Sequence, residues 1–186
     1  MKRALVLVDI QKDYFPGGKN PLPGMEEASR KASKLLSYFR ETGQSVFHIH
    51  HIATRPGSAF FIQDTDGAKV HPSVAPKADE EVITKAHPNS FLNTALLDLL
   101  RAGRHDEVVI CGAMSNMCID ATTRAAADFG FKCTVIHDAC AASDLIFAER
   151  KVPAPDVHAA FMAALSAAYA RVVTLDEFVM NADRKA

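Results

Sequence analysis

The sequence predicts an α/β protein, a three-layer α/β/α sandwich built on a six-stranded parallel sheet. Three observations carry this. Short, nearly continuous apolar runs rich in valine and isoleucine recur along the chain, the pattern of strands buried on both faces. They alternate with longer stretches of helical periodicity, the βαβ rhythm of a parallel sheet. Asp9, Lys85 and Cys118, polar residues of complementary chemistry, each fall at or just beyond the carboxyl end of a predicted strand, the edge at which open α/β sheets bind ligands.

Residues 4–10, Ala-Leu-Val-Leu-Val-Asp-Ile, read as a central buried strand with Asp9 intruding near its carboxyl end. A carboxylate there is costly unless paired or functional. Gln11, Asp13, Tyr14 and Phe15 follow in a loop prolonged by Pro16-Gly-Gly18 and Pro21-Leu-Pro23-Gly24. Met25 to Thr42 has helical spacing through Ala28, Ala32, Leu35, Leu36 and Phe39, with Gly43 as its stop. Ser45 to Ile52 is the second strand. Residues 53–79 hold Pro56, Gly57, Gly67, Pro72 and Pro76 with little periodicity, and an irregular segment of that length normally has a use. Phe60 and Phe61 within it are candidate pocket-wall residues.

Glu81 to Lys85 is a short strand delivering Lys85 to the sheet edge, and Pro88-Asn-Ser-Phe91 leads into a helix through Arg101. A strand at 107–111 precedes the Cys118 segment. Lys132 to His137 is the next strand, followed by a loop from Asp138 that carries Ala141 and Ser143. Pro155 starts a helix through Ala168, Val172 and Val173 form a last short strand, and a short helix follows. Asp138 reads as a solvated loop carboxylate; Asp120, Arg124 and Asp128 read as surface charges of the Cys118 helix.

A chain of 186 residues, 48% hydrophobic and 23% charged, suits one soluble domain spanning 1–186. The formal net charge of −1 and the pI near 6.7 supply no field that would attract nucleic acid or an anionic membrane, so the expected partner is a small molecule. The positive start at Lys2-Arg3 is followed by only five apolar residues before Asp9, too few for a secretory segment. No run approaches the ~20 residues of a membrane span, and the expected setting is cytoplasmic. The four cysteines, 111, 118, 133 and 140, form no C-x-x-C pair, and disulfides are not expected in a reducing compartment. Their spacing permits a four-thiolate zinc site, but Cys111 and Cys133 fall inside predicted strands, without the turns such ligands need. Neither a metal nor another cofactor is expected. Neither G-x-G-x-x-G after the first strand nor a Walker motif is present, which argues against a nucleotide-binding oxidoreductase.

The chain is organised around Val108 to Gly130. Val108, Val109 and Ile110 form a buried strand, Gly112 breaks it, and an Ala-rich helical segment resumes at Cys118. A thiol at the first turn of a helix meets unpaired N–H groups and the positive dipole end, which favour the thiolate. That describes a nucleophile. It also fits a buried structural cysteine, since free thiols are among the most buried groups.

Asp9-Ile-Gln11 with Phe15, Lys85 closing the third strand, and Gly112-Ala-Met-Ser-Asn-Met-Cys118-Ile-Asp-Ala-Thr122 after the fourth resemble the isochorismatase-like cysteine hydrolases, among them nicotinamidases and the ureidoacrylate and N-carbamoylsarcosine amidohydrolases. The resemblance runs through nearly the whole chain. It implies a sheet of order 3-2-1-4-5-6, a dimeric or tetrameric assembly, and Asp9, Lys85 and Cys118 as catalytic residues. Asp9 would take the thiol proton and later give it to the departing amine, Lys85 would hold Asp9 ionised and favour the thiolate, and the backbone N–H groups of Met114 and Cys118 would receive the oxyanion, at ~3 kcal/mol per donor. The family's cis peptide would correspond to Ala113–Met114. Gln11, Phe15, Phe60, Phe61 and Phe91 are the expected substrate-binding residues.

Isochorismatases that cleave a vinyl ether typically lack the cysteine, so Cys118 points to C–N hydrolysis of a small amide, carbamoyl or ureido compound through a thioester. Nicotinamidases carry Asp-x-His and a distant His that bind a metal. Here His48-Ile-His50-His51 is followed by Ile52 with no carboxylate, and His71 lies farther on. The alternatives are a metal-assisted nicotinamidase-type amidase and a catalytically idle binding or scaffold protein of the same fold.

Overall fold

The computed structural model describes residues 2–183. Strand β1 (Arg3–Val8) lies in the middle of the sheet because Ala4 to Val8 offer no polar side chain to solvent, and all five are buried. It pairs in parallel with β2 (Ser45–His51) on one side and β4 (Glu107–Ala113) on the other. Strand β3 (Glu81–Lys85) flanks β2; β5 (Lys132–Ala141) and β8 (Arg171–Val173) extend the sheet beyond β4. The order β3-β2-β1-β4-β5-β8 is the expected order of six sheet strands, the last renumbered because a hairpin of β6 (Leu145–Phe147) and β7 (Arg150–Val152) intervenes. The chain moves outward from β1 to β2 and β3, then crosses to β4 and runs the other way. Right-handed crossovers in opposite directions put their helices on opposite faces.

On one face α1 (Met25–Glu41) buries Ala28, Ala32, Leu35, Leu36 and Phe39, with Glu26 and Glu27 in its first turn and Arg40 in its last to oppose the helix dipole. It meets α5 (Leu175–Asp183), whose Phe178 ring stacks on Phe39 at 6.1 Å. Helices α3 (Asp120–Asp128) and α4 (Ala154–Ala168) cover the other face.

Three local expectations are corrected. Residues 138–141 continue β5 instead of looping, and Asp138 is no solvated carboxylate: it accepts from the Leu175 N–H at 2.8 Å and pairs with Lys31 at 3.2 Å. The β6–β7 hairpin was expected as loop. Helix α2 (Leu96–Ala102) begins later than the Pro88 to Phe91 approach predicts, because polar side chains capture the backbone first. Asn89 Oδ1 accepts from the Phe91 N–H, and Thr94 Oγ1 donates to the Ser90 carbonyl. No helix among the described residues is long and apolar enough to cross a membrane.

Candidate active site

Four neighbouring strands each deliver one side chain to one point at the carboxyl edge. Lys85 ends β3, His51 ends β2, Asp9 follows β1, and Cys118 follows β4. His51 and Lys85 are direct partners in the β2–β3 register. Asp9 leaves the sheet with a left-handed backbone, φ 52°, a conformation aspartate tolerates better than most residues. Val8 faces Gly112 across the β1–β4 pair, and a Cβ at position 112 would lie 2.0 Å from the Val8 carbonyl oxygen. That close approach brings the Cys118 loop against Asp9.

The Ala113–Met114 peptide is cis. After it, Ser115–Ile119 form one π-helical turn closed by the Ile119 N–H on the Met114 carbonyl at 3.1 Å. Cys118 therefore sits in that turn, just ahead of α3, instead of in the first turn of an α-helix. Ser115 ties the turn down: its hydroxyl donates to the Ala141 carbonyl at 3.2 Å and meets His158 Nδ1 at 2.8 Å.

Lys85 organises the cluster. Its ammonium donates to Asp9 Oδ2 at 2.8 Å, to His51 Nδ1 at 2.9 Å and to Cys118 Sγ at 3.2 Å, and an ammonium has three N–H bonds to give. The side chains of Lys85 and Asp9 are wholly buried. Burial would lower the Lys85 pKa, but the charges of Asp9 and Cys118 outweigh it and hold the ammonium above its ordinary range. His51 is pushed down by burial and then by Lys85, so it is a neutral acceptor with its proton on Nε2. Burial first, and then the charge of Asp9, push the Cys118 thiol up against the opposing effect of Lys85. Asp9 Oδ1 is buried with no hydrogen-bond partner among the described residues.

Cys118 opens on a cavity of about 230 Å³ lined by Tyr14, His51, Ala53, Phe60, Phe61, Pro88, Met114 and Met117, together with Thr54, Arg55 and Ser58. Phe60 and Phe61 thus line it, whereas Gln11, Phe15 and Phe91 do not. The amide of Gln11 is spent on the backbone: Nε2 donates to the carbonyls of His51 and Ala68, and Oε1 accepts from the His51 N–H. Phe15 stacks on His71 at 3.6 Å, and Phe91 packs against Phe129. Asp13 fastens the long loop over the cavity through the Phe61 N–H, at 2.7 Å from Oδ2.

His51 was missed as a site residue. Its signal was its place at the carboxyl end of a strand, the criterion that selects Lys85. The histidines do not converge on a nicotinamidase-type metal site. His48 meets Glu80 at 2.9 Å, His50 donates to the Ala68 carbonyl at 2.7 Å, and His71 meets Ser73. Among the described residues the one cluster with metal-ligand spacing is Asp9, His51 and Cys118, with donor atoms within 4.8 Å of one another, and the Lys85 ammonium bonds all three. A metal ion there would face that buried cation.

Comparison with known proteins identifies the family and the fold. The isochorismatase domain model matches residues 3–177. The chain is 49% identical over 179 residues to the uncharacterised isochorismatase family protein YddQ of Bacillus subtilis, covering 96% of this chain and 99% of that protein. A solved isochorismatase hydrolase from Oleispira antarctica shares 49% identity with a TM-score of 0.93, over 96% of each chain. N-carbamoylsarcosine amidase from Thermoplasma acidophilum superposes with a TM-score of 0.79 at 25% identity, over 95% of this chain and 98% of that one. The chain belongs to the isochorismatase family and is a hydrolase of that family.

Proposed function

We propose that the protein is a cysteine hydrolase that cleaves a C–N bond of a small amide, carbamoyl or ureido compound through a thioester, without a metal ion. The observation that carries this is the Lys85 ammonium bonded at once to Asp9 and Cys118. Asp9 takes the Sγ proton, on the otherwise unpartnered Oδ1. The sulfur attacks the carbonyl carbon, and the N–H groups of Met114 and Cys118 receive the oxyanion. Collapse of the tetrahedral intermediate breaks the C–N bond, and Asp9 returns its proton to the departing nitrogen. Asp9 then deprotonates a water molecule that attacks the thioester, and the released thiolate takes the proton back. Lys85 stays charged throughout and compensates whichever neighbour is anionic.

The apolar cavity supports a small, partly hydrophobic acyl group, since its volume lies below the ~300–1,000 Å³ of drug-sized sites. The relatives include one named nicotinamidase, in keeping with C–N cleavage. The family resemblance supports a homo-oligomer, dimeric or tetrameric. An ammonia-release screen over small amides and ureas, with Cys118→Ala as blank, tests the reading. Release by wild type alone supports it, and equal release by both proteins overturns it.

A further inference from the structure

Three side chains around the Cys118 cavity carry a hydroxyl, Tyr14, Thr54 and Ser58, and one of them is both buried and unused. Ser58 donates its hydroxyl to the Arg55 carbonyl at 2.8 Å, and Thr54 is exposed to solvent. Tyr14 is only 2% exposed, and its oxygen makes no hydrogen bond with any described residue. The ring itself gives no reason for the hydroxyl. It meets Phe61 edge-on at 4.6 Å and Phe60 at 5.8 Å, contacts that a phenylalanine would make equally well. A phenol taken out of water without a partner costs free energy that a bare ring does not. The cost is recovered when a ligand supplies the acceptor.

The oxygen faces the cavity. Among the described residues the side-chain atoms both sealed from solvent and unpartnered are Asp9 Oδ1, Asn116 Oδ1 and Thr123 Oγ1. The Tyr14 oxygen is not one of them, so the little surface that Tyr14 keeps includes its hydroxyl, and the space it borders is the cavity. Its position is fixed from both sides. Tyr14 closes a single 3-10 turn (Lys12–Tyr14), its N–H donates to the Gln11 carbonyl at 3.0 Å, and its own carbonyl accepts from the Leu22 N–H at 3.0 Å. The donor is thus in place before a ligand arrives, which spares the cost of ordering it on binding. Burial first, and then the charges of Asp9 and Cys118, raise its pKa. It stays a phenol at neutral pH, a donor rather than a base, and it lies within reach of the reacting end.

We propose that Tyr14 is a specificity-determining residue whose hydroxyl donates a hydrogen bond to an oxygen on the acyl side of the substrate, close to the reacting carbonyl. The favoured substrates are then small amides with such an oxygen, for example 2-alkoxy amides, over amides with a plain hydrocarbon chain. This rests on the cysteine-hydrolase reading for the assignment of the cavity to the acyl group, but the preference is testable apart from turnover. A site that holds a buried donor rejects a ligand without the matching acceptor, because the donor is then left unpaired in a dry space.

Two uncharged amides of one shape, 2-methoxyacetamide and butanamide, differ by an ether oxygen in place of a methylene. The ether also activates the carbonyl, but equally in every variant, so the reading is the change in the ratio of their kcat/KM values. In Tyr14→Phe that ratio falls on the order of tenfold, through 2-methoxyacetamide alone. The urea unfolding midpoint does not fall, because the hydroxyl has no partner in the free protein. An unchanged ratio overturns the proposal, and so does equal loss on both amides with a lower midpoint, which marks a structural role. If wild type hydrolyses neither amide, the hydrolase reading is judged on the wider screen and Tyr14 on binding. Saturation-transfer NMR with both compounds then decides it. Tighter binding of 2-methoxyacetamide to wild type, lost in Tyr14→Phe, supports the proposal. Equal affinities in the two proteins, or no binding of either compound, overturn it.

Discussion

Lys85 Nζ stands 3.2 Å from Cys118 Sγ, and the thiol is nevertheless pushed above its ordinary range. The sequence alone leads to the opposite expectation, that a helix start and a neighbouring lysine favour the thiolate. The geometry explains the reversal. One buried ammonium serves two acids, its shortest bond, 2.8 Å, goes to Asp9, and a second anion in a dry site would lack a countercharge. The resting cluster is ammonium, carboxylate and thiol, and the sulfur becomes a nucleophile only by handing its proton to Asp9.

Asp9→Asn removes that acceptor without changing the size of the side chain. The activity found in the screen should fall by roughly 10²–10⁴ in kcat, and iodoacetamide should label Cys118 far more slowly at pH 7. Labelling at the wild-type rate would mean that the thiol ionises without Asp9.

Lys85→Met leaves Asp9 buried with no cation. Removing one member of a buried pair costs about 3–5 kcal/mol, so urea unfolding at pH 7 should show a loss of that order. Alkylation of Cys118 should slow as well, since Lys85 is the one influence that pulls the thiol pKa down. An unchanged unfolding midpoint and an unchanged labelling rate would reduce Lys85 to a bystander.

His51→Ala takes away one of the three acceptors of the ammonium. We expect kcat to fall about tenfold, the worth of one hydrogen bond to a charged group, with KM little changed, because His51 acts through Lys85. His51→Asn, which offers a carbonyl acceptor in nearly the same place, should recover part of the loss. A rise in KM with kcat intact would instead assign His51 to substrate contact.

Stability should fall in alkali. Burial raises all four thiols, Cys133 and Cys140 to about 12, against an ordinary value of 9.0. Above pH 9 an unfolded chain loses these protons while the native chain keeps them, so the native state binds more protons and stability declines as pH rises. Each thiol contributes about 1.4 kcal/mol per pH unit until its folded pKa is passed. Cys133→Ala, remote from the cavity, should lower the slope of unfolding free energy against pH by one such share. A slope unchanged in that variant would contradict the raised thiol.

The centre of the sheet was legible because β1 and β4 are nearly continuous apolar runs, and Ala4 to Val8 admit no other reading. The β6–β7 hairpin was not, since Leu145–Phe147 and Arg150–Val152 are each too short to show a period of two over loop composition. The start of α2 was lost to Asn89 and Thr94, whose side-chain bonds depend on neighbours that a periodicity count ignores. Asp9, Lys85 and Cys118 could be singled out because each is a polar interruption at a strand end. Gln11 and Phe15 stand beside them in sequence, yet their partners, Ala68 and His71, come from the irregular loop, whose path has no sequence signature. His51 was hidden among three histidines whose separate partners, Glu80, Ala68 and Lys85, emerge only when the β2–β3 register is known.

The central claim, a thioester on Cys118, is tested most directly by intact-mass measurement of the enzyme quenched in acid during turnover of the best amide from the screen. Wild type should carry the mass of the acyl group, located on the peptide containing Cys118, and Cys118→Ala should carry none and release no ammonia. Ammonia release by Cys118→Ala at a rate near that of wild type, with no acyl adduct on either protein, would contradict the account.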